Sequence, residues 1–316
     1  MSKLVKPSHW RRNVSPRWPG FFPVLPAALL LLLSWSAERA TACPACQCGD
    51  PSWSLDSAEG STATALRAAL VFRASRTTHG SEATGQAVEF DRRVSLLASR
   101  SFGRGNSLTL TVPYVHRVLD DISGGRTSTF ALGDLDLRTQ VRLAQRTTPL
   151  GFLTMGMSAA AAVPSGARLR DEFAAIVDVD AQPGLGSWAG AGGLWADTRA
   201  GRWGARASLE LRAATKGWEG HKPPNTLLYS ASVRRRIGRS SGLQLGIDAR
   251  HSGFDRYDGI PDRLSGGNTL FFAPRWSQAI RPGWGLQFGG QIPLILEDEP
   301  RSRETGGFEV GLHWGA

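Results

Sequence analysis

Apolar and polar side chains alternate with a period of two along most of the chain from about residue 64 to its end. The alternation is sharpest over 133–144. Leu135, Leu137, Val141 and Leu143 take odd positions there, with Thr139 the single polar exception, and Asp134, Asp136, Arg138, Gln140 and Arg142 take the even ones. Such a period predicts a strand with two unlike faces. A face carrying two aspartates and two arginines does not belong in the dry interior of a sandwich. The length of the stretch is about that of a tilted strand crossing a bilayer of roughly 30 Å. It therefore predicts one stave of a transmembrane barrel, with lipid on the apolar side and a wet lumen on the other.

The theme recurs along the chain. Leu66, Ala68, Leu70 and Phe72 alternate with Arg67 and Arg73, and the apolar set over 88–98 opposes Glu89, Asp91 and Arg93. Leu108, Leu110, Val112 and Tyr114 follow, then the opening stave over about 131–145, a weaker run over 153–161 and a glycine-rich one over 187–198. Trp203, Ala205, Ala207, Leu209 and Leu211 oppose Arg202, Arg206, Glu210 and Arg212 almost without exception. Four more strands follow, with Arg234 and Arg236, Asp248 and Arg250, Arg275, and Gln287 and Gln291 on their polar faces. Phe308, Val310, Leu312 and Trp314 close the chain against Glu309. The fold class predicted is all-β: a single antiparallel transmembrane β-barrel of about twelve strands, an even number, as a single-chain bacterial barrel requires.

Connection lengths orient the barrel. Long polar segments are expected at 77–85, 118–129, 164–185, 215–224, 253–267 and 296–305, and tight turns near 102–105, 147–149, 199–201, 238–242 and 281–283. Short periplasmic turns and long external loops are the outer-membrane arrangement, with both termini in the periplasm. Phe152, Trp203, Trp284 and Trp314 then fall at the periplasmic interface, the depth that amphipathic rings prefer.

Residues 1–42 are predicted to be a cleaved secretory signal. Lys3, Lys6, Arg11, Arg12 and Arg17 form a basic region, 21–35 an apolar core, and Ala40-Thr41-Ala42 a small-residue cleavage site. Residues 43–63 then form a cysteine-containing periplasmic lead-in, and 64–316 the barrel in the bacterial outer membrane. Six basic residues and one glutamate lie in 1–42, so their removal takes the formal charge from +10 to +5. The mature chain is only modestly basic and has no basic run interleaved with aromatics, which argues against nucleic-acid binding. After residue 42 no stretch is apolar enough for a spanning helix, so strands must provide any membrane crossing.

Ala131-Leu132-Gly133-Asp134-Leu135 leading into an alternating strand, the signal-like N-terminus and the hairpin cadence over 64–316 resemble the bacterial outer-membrane barrels of the phenol-degradation meta-pathway transporter type. The resemblance implies a passive channel or uptake pore for small molecules. The cysteine-rich lead-in departs from the common pattern of that group.

Alternation assigns Arg67, Arg93, Asp134, Asp136, Arg138, Arg142, Arg206, Glu210, Arg212, Arg234, Arg236, Asp248, Arg250 and Arg275 to the lumen wall. With Arg73, Arg202, Glu89, Asp91 and Glu309, arginines outnumber carboxylates by twelve to seven, so the lumen is expected to favour anions. The competing expectation is that these charges pair and fill a closed interior. The function expected is passive diffusion of a small, anionic or aromatic, solute. Outer-membrane lipid is the expected partner; the sequence leaves the solute and the oligomeric state open.

Cys43, Cys46 and Cys48 form a C-x-x-C-x-C cluster with three readings: soft ligands for Cu(I) or Zn²⁺, one disulfide with a leftover thiol, or acylation at Cys43. Apart from that metal no cofactor is expected. A barrel that presents this segment to a metal or redox partner is the alternative function. No enzyme is expected: His251 and Ser252 point to opposite faces of an extended strand, so they do not make a hydrolase pair. Asp255, Asp258 and Asp262 lack EF-hand spacing and read as a solvated acidic loop.

Overall fold

The computed structural model describes residues 66–81, 85–103, 105–120, 124–149, 151–170, 181–262, 265–295 and 303–315. The predicted signal segment and the cysteine lead-in lie outside these residues. In chain order the strands are β1 (Leu66–Ser81), β2 (Gly85–Phe102), β3 (Asn106–Asp120), β4 (Arg126–Leu132), β5 (Leu135–Thr148), β6 (Gly151–Val163), β7 (Ala189–Ala200) and β8 (Trp203–Ala214). There follow β9 (His221–Lys222), β10 (Thr226–Ile237), β11 (Ser241–Ser252), β12 (Arg256–Tyr257), β13 (Ile260–Pro261), β14 (Gly267–Arg281), β15 (Trp284–Ile295) and β16 (Arg303–Gly315).

Each long strand pairs antiparallel with its neighbours, and β1 pairs with β16 to close the ring. β4 and β5 both pair with β3 and act as one stave, so the wall is a closed barrel of twelve staves. Closure removes every edge, which a bilayer demands because lipid offers backbone groups no partner. The outward set is apolar and exposed as the alternation predicts: Leu70, Leu96, Leu110, Leu137, Leu209, Ile247 and Phe308 all face out.

The stretch over 131–145 is two strands, because the chain bulges at Gly133-Asp134. Tyr114 pairs with Leu132 and Thr111 with Asp136, so three residues on this stave oppose two on β3. Opposite the bulge lies Pro113, whose carbonyl accepts from the Gly133 amide at 2.9 Å. In a strand the N–H and C=O of one residue point the same way, so the ladder donor that proline lacks is missing on this side. The extra residue also switches the outward parity, from Phe130 and Leu132 at even positions to Leu137 at an odd one.

Two of the long connections are strand for most of their length. β1 runs to Ser81 and β2 starts at Gly85, while β3 runs to Asp120 and β4 starts at Arg126. Polarity at 77–85 and 118–129 marks where the hairpins leave lipid, and the backbone ladder continues there. The later long segments do carry structure of their own. After β8 come a 3₁₀ turn (Trp218–Gly220) and the small sheet β9-β12-β13, pinned by buried His221, whose Nε2 lies 2.9 Å from Asp255. The expected solvated acidic loop is thus partly buried: Asp255 is 2% exposed, because β12 folds back over β9 and takes it inward.

Candidate functional site

At the long-loop end the connection after β6 turns into the barrel. Ala181, Gln182, Pro183, Leu185 and Ser187 are all buried against the inner wall. Three side chains of the wall hold this segment. Arg117, 1% exposed, lies 3.0 Å from Glu89 and 2.9 Å from Asp91 and donates to the Gln182 carbonyl at 2.7 Å. Thr129 donates to the Ala181 carbonyl at 2.6 Å. Asp134, 3% exposed, accepts from the backbone N–H groups of Gly166 at 2.9 Å and Leu185 at 2.8 Å. The bulge aims that carboxylate. Gly166 and Gly184 make room for it: a Cβ on either would stand 2.8 Å and 2.5 Å from Asp134 Oδ1.

Further down the lumen, arginines reach across a whole stave to their carboxylates. Arg138 on β5 binds Glu210 on β8 through two nitrogens, at 2.5 and 2.9 Å, although β6 and β7 lie between. Arg234 on β10 reaches Asp197 on β7 past β8, at 3.3 Å. Arg275 on β14 reaches Glu309 on β16 past β15, at 3.0 Å. Such contacts exist only on the concave side, where side chains from separated staves converge. At each crossing the intervening stave carries glycine. A Cβ at Gly204 would meet Arg234 Nε at 2.6 Å, one at Gly289 would meet Glu309 Oε1 at 2.7 Å, and one at Gly193 would meet Ser158 Oγ at 3.0 Å beside Glu210. Gly204 and Gly289 are set by the path of an arginine, Gly193 by the close approach of the Leu209 carbonyl, 2.5 Å from where its Cβ would stand.

One network unites five staves: Arg275 with Asp248 and Glu309, Gln291 with Asp248 and Arg73, and Glu304 with Arg73 at 3.7 Å and Arg250 at 3.2 Å. Fixed ion pairs of this kind suit arginine, whose planar fork holds two partners at once.

At the short-turn end the interior opens into a cavity of about 740 Å³, bounded by the turns at 201–202, 238–240 and 282–283. Arg67, Arg202, Arg234, Arg236, Arg239 and Gln287 are among its lining residues. Phe152, Trp203, Trp284 and Trp314 sit at this end, as expected. Trp284 stacks on Trp314 at 5.7 Å, Arg281 lies 4.6 Å over the Trp284 ring, and Arg235 lies 5.0 Å over Trp203. Cations over indole faces stabilise by about 0.5–1 kcal/mol each where exposed.

Among the other residues that alternation assigns to the lumen, Arg93 pairs with Asp91 at 3.1 Å, and Arg206 lies 5.3 Å over the ring of Trp195. Asp136 and Arg212 are half-buried; Arg142 bonds the side chain of Gln145, and Asn106 accepts from its backbone amide. Arg236 is exposed at the end of β10. Cys43, Cys46 and Cys48 lie outside the described residues. Sequence reasoning missed Arg117, Asp197 and Glu304 as partners. Arg117 and Glu304 fall at or beyond strand ends drawn too short, yet Val115 and Arg117 already share one parity. His251 is exposed and bonded to Asn268, whereas Ser252 is fully buried on Thr226, so the two do face apart.

No protein-family model matches the chain, and no curated protein matches it either. Among solved structures it is similar to the COG4313 outer membrane channel from Pseudomonas putida F1, with a TM-score of 0.66 at 13% identity over 81% of this chain and 97% of that one. It also matches the beta domain of the Bordetella autotransporter BrkA, with a TM-score of 0.48 at 11% identity over 81% and 100% of the two chains. The CymD monoaromatic hydrocarbon channel gives a TM-score of 0.39 at 8% identity over 81% and 88%. At such identities the likeness to the COG4313 channel speaks for the fold: this chain is a β-barrel of the outer-membrane type.

Proposed function

We propose that this protein is an outer-membrane channel through which small solutes diffuse passively, exported by its N-terminal signal and set with its short turns in the periplasm. The observation that carries the reading is the closed wall with an apolar outside and an inside divided into two zones. The outer zone is occupied by the segment 181–187 and its ion pairs; the inner zone is a cavity of about 740 Å³ rich in arginine. The name of the COG4313 channel, together with the resemblance of 131–135 to meta-pathway-type transporters, points the same way.

In this mechanism the barrel contributes no bond making or breaking. The charges of the middle lumen neutralise each other in pairs, so the excess of arginine at the inner mouth sets the preference for anions. Segment 181–187 is the constriction, and its bonds to Arg117, Thr129 and Asp134 set how often a solute passes. Proteoliposomes containing the barrel should swell faster in small organic anions than in cations of equal size. Swelling no faster than in protein-free liposomes for every solute would overturn the proposal.

A further inference from the structure

The cavity at the short-turn end differs from the rest of the lumen in its charge. Nine arginines are among its lining residues and, among the described residues, no aspartate or glutamate lines it. Among them, Arg199 and Arg234 pair with Asp197, and Arg275 with Asp248 and Glu309, carboxylates set back from the cavity. Arg202, Arg236 and Arg239 are exposed, at or beside the short turns. Ser240, Ser241, Ser277 and Gln278 add neutral hydrogen-bonding groups to the same wall.

We infer that this vestibule is a binding site for a small soluble oxyanion carrying two or more negative charges, of the oligophosphate or polycarboxylate class. The arginines lining this concavity of about 740 Å³, apart from Arg235 and Arg281, which lie over the Trp203 and Trp284 rings, give it a positive potential that salt with a Debye length of about 8 Å screens only in part. Their mutual repulsion is relieved by counter-anions, and one multivalent anion replaces several monovalent ones. Guanidinium forks match phosphate and carboxylate oxygens in pairs, which a chloride ion cannot use. Higher in the lumen Arg117, Arg138 and Arg250 sit on carboxylates, so a bound polyanion sits at the inner mouth and narrows it. The site stands apart from the channel reading except in that last effect on current.

Tripolyphosphate titrated calorimetrically into the folded full-length barrel, in zwitterionic detergent at physiological salt, tests the assignment. Saturable binding is expected, weakened at least tenfold in the combined variant Arg202→Ser, Arg236→Ser, Arg239→Ser and weakened by added salt. Arg100→Ser with Arg146→Ser, exposed arginines outside the cavity, should leave affinity unchanged. Should the triple variant fail to show heat-modifiable migration, Arg239→Glu alone, in a turn, serves in its place and should weaken binding at least threefold. No saturable heat, equal affinity in the vestibule variant, or an equal loss in the control pair would overturn the site. Binding to phosphatidylglycerol nanodiscs without binding of tripolyphosphate would also overturn it, by moving the recognised phosphate to lipid. Binding in a protein that gives no current would leave the site standing and count against the channel.

Discussion

Asp134→Ala should give a barrel that folds and inserts like the parent but holds segment 181–187 far less tightly, through Arg117 and Thr129 alone. The parent carboxylate accepts from the Gly166 and Leu185 amides at 2.9 and 2.8 Å while 3% exposed. Hydrogen bonds to a charged acceptor contribute about 1.5–3 kcal/mol each. Losing both shifts the balance between docked and undocked segment by on the order of 3 kcal/mol, or about a hundredfold. Trypsin added to intact proteoliposomes should then cut after Arg168 or Arg170 at least tenfold faster than in the parent. Asp134→Asn keeps one acceptor oxygen and should fall between the two. Equal cleavage rates in all three would show that the carboxylate does not hold the segment.

Arg117→Met should be the most destabilising single change in the wall. It takes away the cation 3.0 Å from Glu89, 2% exposed, leaves Asp91 with Arg93 alone, and removes the donor to the Gln182 carbonyl. Breaking a buried ion pair from one side destabilises by about 3–5 kcal/mol, because the remaining charge stays desolvated. The urea midpoint for loss of the fast-migrating folded band should fall accordingly. Adding Glu89→Gln should restore much of the loss, since Asp91 keeps Arg93 and the buried carboxylate that lost Arg117 is gone. A midpoint within error of the parent for the single variant would contradict the ion-pair account.

Alternation within single strands made the wall legible in the sequence. The set 202–212 reads with hardly a flaw because β8 has lipid on one face and water or ion pairs on the other along its length. What escaped depends on pairing between distant strands. The bulge at Gly133-Asp134 has its cause in Pro113, some twenty residues earlier, and no local pattern records that the two lie opposite. It changes the role of the sharpest stretch: Asp134 stands on the inner face, but as an acceptor for loop amides.

The charge count likewise could not show which arginine meets which carboxylate. Glu210 lies three staves from Arg138, and the glycines that let such pairs form look like ordinary breaks in a strand. Polar 77–85 and 118–129 read as loop because composition reports solvent, whereas hydrogen-bonded pairing carries the strands past the lipid boundary. The excess of arginine over acid was legible as a total; its concentration at the short-turn end was not, since that needs the strand directions and the pairing of the rest.

Planar-bilayer recording of the purified barrel tests the central claim most directly. Discrete current steps, with a reversal potential in a salt gradient displaced towards that of the anion and larger steps for Asp134→Ala, are the predicted result. A heat-modifiable, folded barrel that passes no current at any voltage, in the parent and in Asp134→Ala alike, would contradict it.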